Sequence, residues 1–187
     1  IITCNHFHPF DNYAVYKAIK PYLGKKKLFK VIREGNYTNF PGLYGYFFRN
    51  CNTLPLAKDH KVMKEFSLGL AKQLKDGHKV LIYPEQAMWL NYKKPRPLKL
   101  GAFKFAVENN VPIIPIFITM EDSLFLDDDN CLVQSLSVHI MKPIGIDPDL
   151  STFENATRMQ KVVFERMKNK YEEVYQTPLS YKGANNV

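Results

Sequence analysis

The sequence has few cysteines, no long apolar run and fewer acids than bases, and each shortage removes a class of protein. Cys4, Cys51 and Cys131 are an odd number without a C-x-x-C pair, so no disulfide framework is expected and a reducing cytoplasm suits them. The most apolar stretch, Val111 to Met120, is interrupted by Pro112 and Pro115 and falls short of the roughly 20 residues a membrane-crossing helix requires. No secretory signal opens the chain. Nine Gly and twelve Pro form no repeat, which excludes collagen-like and solenoid architectures. Eighteen acidic residues against 26 basic ones leave a net charge of +8, which favours anionic partners.

What is present fits one globular domain. At 187 residues the chain can withdraw roughly 70% of its unfolded surface from water, so it needs neither disulfide nor metal to fold. The 13 Phe, 11 Tyr and one Trp suit a large apolar cleft or a membrane-facing surface. Ile1 already lies in an apolar run that reads as a strand, so the natural start, with any N-terminal anchor, is expected upstream.

Strand and helix signals alternate. Strands are expected at Ile1–Cys4, Leu28–Ile32, Lys79–Tyr83, Ile113–Ile118 and Leu132–Met141, and helices at Asn12–Leu23, Asp59–Lys75 and Leu100–Asn109. Phe40–Phe48 reads equally as helix or loop. The acids of Glu121–Asn130 predict a solvated loop. Ser151-Thr152-Phe153-Glu154 is a capping box opening a helix to about Gln176, with Phe153, Ala156, Met159, Val163, Met167, Tyr171 and Val174 as its apolar stripe. The last ten residues are polar, and fraying is expected there. The alternation predicts an α/β layered fold, with a mostly parallel central sheet flanked by helices. In such sheets the loops after the strand C-termini gather at one edge and form the site. Asn5–Asp11 and Pro84–Trp89 are the two such loops with titratable side chains.

In the first loop a histidine near Asp11 can serve as a general base oriented by a carboxylate. Either His6 or His8 can reach Asp11, and Asp11 can equally be a plain helix cap. A metal site from Cys4, His6 and His8 lacks a fourth ligand at a familiar spacing.

Further residues narrow the choice. Asn5-His6-(four residues)-Asp11 resembles the NHx4D signature of the glycerolipid acyltransferases, the family of 1-acylglycerol-3-phosphate (lysophosphatidic acid) and glycerol-3-phosphate acyltransferases. Gly45-Tyr46-Phe47-Phe48-Arg49 is similar to that family's second block, and Tyr83-Pro84-Glu85 to its third. Lys99-Leu100-Gly101 with Ala106 is similar to the lysine and glycine that come next in the family, and Val111-Pro112-Ile113-Ile114-Pro115-Ile116 to its fourth block. The blocks stand in family order.

The resemblance implies a single acyltransferase domain over 1–187 with a glycerol-3-phosphate acyltransferase-like fold. It selects His6 over His8 as the base that deprotonates an acceptor hydroxyl, with Asp11 orienting it. It places Arg49 on the acceptor's phosphate, where a guanidinium can grip two oxygens. Gly45, Glu85 and Lys99 join the substrate site, Glu85 either touching the acceptor or orienting its neighbours. The implied substrates are a lysophospholipid acceptor and acyl-CoA or acyl carrier protein, with no cofactor beyond that co-substrate. Cys4 then reads as buried packing, since no acyl-enzyme is required. One block departs from the pattern. Gln86-Ala87-Met88 stand where the family has Gly-Thr-Arg, leaving either Lys93, Lys94 and Arg96 to replace the lost charge or a different acceptor to be bound.

Asn12–Arg33 and Tyr92–Val107 carry lysines and arginines without a single acid. No nucleic-acid motif accompanies them, so nucleic acid is not an expected partner. Anionic lipid head groups attract such residues by about 1 kcal/mol each, and peripheral attachment to the inner, cytoplasmic face of the cell membrane is the expectation.

Overall fold

The computed structural model describes residues 1–181. Its sheet is built from β1 (Ile2–Cys4), β2 (Leu28–Arg33), β3 (Thr53–Leu56), β4 (Lys79–Ile82), β5 (Ile114–Leu126) and β6 (Leu132–Ile140), in the order β3-β2-β4-β1-β5-β6. β1 to β5 run parallel, and only β6 pairs antiparallel with its neighbour. Helices α1 (Asp11–Leu23), α2 (Glu34–Asn39), α3 (Gly42–Asn50), α4 (His60–Lys75), α5 (Gly101–Glu108) and α6 (Thr152–Tyr175) connect and cover it.

The central strands are hidden on both sides. Every residue of β1 and three of four in β4 are buried, as strands of a doubly covered parallel sheet are. On one face Phe66 and Leu70 of α4, Phe103 and Ala106 of α5, and Met159, Val163 and Met167 of α6 close over Val80, Ile82 and Phe117. On the other, Val15, Ile19 and Leu23 of α1 seal Leu81, Ile116 and Ile118. Because β1 and β4 are adjacent and parallel, the loops leaving their C-terminal ends emerge side by side. That edge holds the candidate site.

Several sequence expectations are corrected. β5 does not stop at Ile118. It runs on through Glu121 and Asp122, which pair with Ser135 and Gln134 of β6, and only the connection between Leu126 and Leu132 is free of strand. Acidic composition reports exposure, and a two-stranded ribbon leaving a sheet is exposed on both faces, so it accepts acids as readily as a loop does. β3 and α2 were too short to carry a pattern. Phe40–Phe48 falls mostly within α3. The capping box at Ser151 and Glu154 forms with both reciprocal bonds, but Phe153 is 62% exposed, because the first turn of α6 overhangs the core. The tail expected to fray is held as far as Tyr181: Leu179 N–H donates to Glu172 Oε1 at 2.8 Å, Lys94 Nζ to the Ser180 carbonyl, and the Tyr181 hydroxyl to the Pro95 carbonyl. Residues 182–187 lie outside the described residues. Among the described residues no helix is long and apolar enough to cross a membrane.

Candidate active site

Asn5 fixes where the first loop leaves the sheet. Its side chain donates to the Ile118 carbonyl at 2.9 Å and accepts from the Ile118 N–H at 2.8 Å, so the loop is pinned to β5. The chain then turns sharply, and Asp11 opens α1. Asp11 Oδ2 lies 2.9 Å from His6 Nδ1 and also accepts the N–H groups of Phe7 at 2.8 Å and His8 at 3.0 Å. Asp11 is fully buried while the His6 side chain is 22% exposed. The carboxylate thus organises the whole turn and holds one ring nitrogen of His6. A carboxylate facing Nδ1 favours the tautomer with its proton there, leaving the Nε2 lone pair free. Among the described residues Nε2 meets no hydrogen-bond partner.

The ring itself rests on Tyr83, stacked at 4.0 Å between centroids and 18° from parallel. The Tyr83 hydroxyl donates to Asn12 Oδ1 at 3.1 Å, and burial pushes it well above the ordinary tyrosine range, so it forms a neutral floor. His8 is turned elsewhere: its Nδ1 accepts from the Phe10 N–H. Of the two histidines, His6 alone presents its ring to Asp11.

The second loop is held by a buried ion pair. Glu85 accepts from the Arg96 backbone N–H at 3.0 Å, from Arg96 Nε at 3.0 Å and Nη2 at 2.9 Å, and from the His6 N–H at 3.3 Å. Burial raises the Glu85 carboxyl above the ordinary range, with Arg96 and the His6 N–H pulling the other way. Arg96 also donates to the Ala87 carbonyl and lies 4.6 Å over the Trp89 ring. Glu85 therefore ties Pro84–Arg96 to the loop carrying His6. Trp89 and Asn91 add backbone bonds to the carbonyls of His6 and Phe7. Arg96, one of the three cations that the loss of Gly-Thr-Arg left to replace the charge, spends Nε and Nη2 on Glu85 and Ala87. Lys93 sits over the Tyr175 ring and Lys94 on Ser180. Gln86 occupies the left-handed region at φ 61°, where a glycine would be unstrained.

Arg49, Gly45 and Lys99 lie outside this hydrogen-bonded group. Arg49 lies in the last turn of α3, and its Nη1 donates to the carbonyls of Tyr37 at 3.2 Å and Phe40 at 3.3 Å. Gly45 lets α3 pass the preceding segment: an added Cβ would fall 1.8 Å from the Phe40 carbonyl oxygen and 2.9 Å from Arg49 Nη2. Gly45→Ala is therefore expected to cost about 1–3 kcal/mol by overpacking, read as a lower urea midpoint, and to displace the Arg49 guanidinium. Lys99 has an exposed side chain, and its N–H closes the second loop on the Pro84 carbonyl at 2.8 Å.

Cys4 is fully buried, with burial first and then Asp11 and Glu85 holding its thiol well above the ordinary range, so it is no thiolate nucleophile. Among the described residues no three His, Cys, Asp or Glu side chains converge as a metal site would need. Sequence reasoning had not assigned Tyr83 as a ring support or Arg96 as the partner of Glu85. The signal for the second was available, since a carboxylate at the end of a buried strand requires a cation.

A family model described as Acyltransferase matches residues 1–119. No curated protein sequence matches the chain significantly. Among solved structures, the 1-acyl-sn-glycerophosphate (LPA) acyltransferase PlsC from Thermotoga maritima superposes with a TM-score of 0.60 at 18% identity, over 96% of this chain and 67% of that one. At that identity the likeness is one of fold, including the parallel sheet and its flanking helices. The matched segment spans more than half of the chain and contains His6, Asp11, Arg49 and Glu85, and the chain belongs to the acyltransferase family.

Proposed function

We propose that this protein transfers a fatty acyl group from a thioester to the free hydroxyl of 1-acylglycerol-3-phosphate, giving phosphatidic acid. The observation that carries the reading is the 2.9 Å contact of His6 Nδ1 with buried Asp11, in a chain of the acyltransferase family. His6 Nε2 accepts the hydroxyl proton as the oxygen attacks the thioester carbonyl. The C–S bond then breaks, and the leaving thiolate takes the proton from the imidazolium. Asp11 steadies the positive ring between those events. No acyl-enzyme forms.

Arg49 receives the acceptor's phosphate with the guanidinium donors it does not spend on Tyr37 and Phe40. Glu85 acts by position, bonded to the His6 N–H. Gly45 gives Arg49 its room, and Lys99 adds positive charge beside the second loop. The donor is acyl-CoA or acyl carrier protein. The protein works at an anionic membrane surface, as a peripheral protein on the inner, cytoplasmic face of the cell membrane. Exposed Phe10, Met88, Trp89 and Leu90 around the two loops support this. So do Leu124 and Phe125, on the ribbon that leaves the same edge of the sheet.

The test is direct. Incubation with labelled acyl-CoA or acyl carrier protein and 1-acylglycerol-3-phosphate is expected to yield labelled phosphatidic acid, and absence of product from both donors would overturn the reading. Gln86-Ala87-Met88 favours a second reading in which another lysolipid or glycerol-3-phosphate is the acceptor. A panel of acceptors separates the two, and equal turnover of phosphate-free acceptors would remove Arg49 from its role.

A further inference from the structure

A basic concavity lies at the edge of the sheet opposite the candidate site, and the proposed acyl-transfer chemistry does not use it. It is formed where α1 ends and β2 begins, has a volume of about 530 Å³, and its walls include Tyr16, Lys20, Lys26, Lys27, Lys30 and Asn52. β2 starts at Leu28 beside Lys79, the first residue of β4, whereas His6 stacks on Tyr83 beyond the end of β4. Along α1, which starts at Asp11, the groove wall extends from Tyr16 to Leu23, about 8 to 18 Å from Asp11 at about 1.5 Å per residue.

Three features make it more than a solvated charge run. Leu28 packs beneath α1, and Lys30, two residues on, shares that sheet face, so its stem enters the groove wall and it is half-buried. Burial holds its ammonium below the ordinary lysine range. Lys26 is fixed, its Nζ donating to the Asp76 carbonyl at 2.7 Å while its stem lies against Gly77. Finally, no acid lines the groove, and among the described residues none of the four lysines is in an ion pair. Four lysines line one hollow without an acid among the lining residues, so the hollow carries a positive field that an anion within it relieves. Phosphate oxygens suit several lysines at once, and Tyr16, Pro21 and Leu23 offer an apolar wall to whatever the phosphate is attached to.

We propose that this groove is a binding site for a phosphate-bearing ligand, separate from the acyl-transfer site and independent of the acceptor that site uses. The phosphate can belong to a soluble phosphorylated molecule or to an anionic lipid head group.

The experiment measures binding of pyrophosphate by calorimetry, and of phosphatidylcholine vesicles with and without phosphatidic acid by sedimentation, using the full chain. The double variant Lys20→Gln/Lys30→Met is compared with Lys161→Gln/Lys168→Gln, which removes the same charge from α6. At a contribution of about 1 kcal/mol per lysine, the groove variant is expected to bind about thirtyfold more weakly and the α6 variant within about threefold of wild type. Lysine-dependent binding of pyrophosphate assigns a soluble ligand, and lysine-dependent binding of phosphatidic acid vesicles alone assigns a lipid head group. Equal weakening in both variants, or no binding of either probe, overturns the site. Circular dichroism checks that the groove variant folds. Should it not, exposed Lys20→Gln alone, expected to weaken binding about fivefold, carries the test.

Discussion

His6→Ala is expected to lower kcat/KM for acyl transfer by about 10²- to 10⁴-fold, the range that general-base assistance contributes, with little change in stability. The fold has small dependence on the ring. His6 lies at the surface edge of the site, and its loss leaves Asp11 Oδ2 still bonded to the N–H groups of Phe7 and His8. Asp11→Asn tests the other half. The amide can keep its oxygen at the position facing three donors, so the turn is retained, while the charge that steadies the imidazolium is gone. A loss of roughly 10²- to 10⁴-fold is again expected. The double variant is expected to be hardly worse than His6→Ala, since in the proposed mechanism Asp11 assists the chemical step through the ring and such effects are non-additive. Steady-state kinetics at saturating donor, with thermal melts of each variant, read all three. Activity of His6→Ala within threefold of wild type would remove the general base.

Arg96→Met is expected to cause the largest loss of stability. Glu85 and Arg96 are both buried, joined by two side-chain bonds and one backbone bond. Removing one partner of a buried pair strands the other charge, at a cost of about 3–5 kcal/mol. For a chain of this size that corresponds to a fall in Tm of roughly 10 °C. The deficit is expected to vary with pH in a defined direction. The Glu85 carboxyl already titrates above its ordinary range because of burial, and Arg96 is the main influence holding it down. Without Arg96 its folded pKa rises further above the unfolded value of about 4.3. The native state then binds more protons than the unfolded state across that widened window, so stability declines as pH rises through it. The gap between variant and wild type is therefore expected to narrow from pH 7 to pH 5. Urea unfolding at both values measures it, and a gap that widened on acidification would show that the carboxylate is held by something other than Arg96. Activity is expected to fall as well, because Glu85 Oε2 is also bonded to the His6 N–H.

Much of the architecture was legible because its signals are local. The apolar runs at Ile1–Cys4 and Lys79–Ile82, the 3.6-residue spacing of Phe66 and Leu70, and the Ser151–Glu154 box depend on residues within a turn or two of each other. So does the turn that places His6 and Asp11 together, since five positions separate them and Asp11 also binds the N–H groups between. The ribbon of β5 and β6 was not legible. Its acids speak only of solvent, and strand pairing is a property of two segments.

The sequence alone determined the alternation of strands and helices, the order of the family blocks, and the presence of an imidazole with a carboxylate in one loop. Only the tertiary structure decided that Arg96 is consumed by Glu85, that Arg49 hydrogen-bonds to Tyr37 and Phe40 at the end of α3, and that the lysines of one charge run divide so that four surround a hollow. The reason is physical. A side chain's availability is settled by what lies within a few ångströms of it, and those neighbours come from strands and loops that chain order keeps far apart.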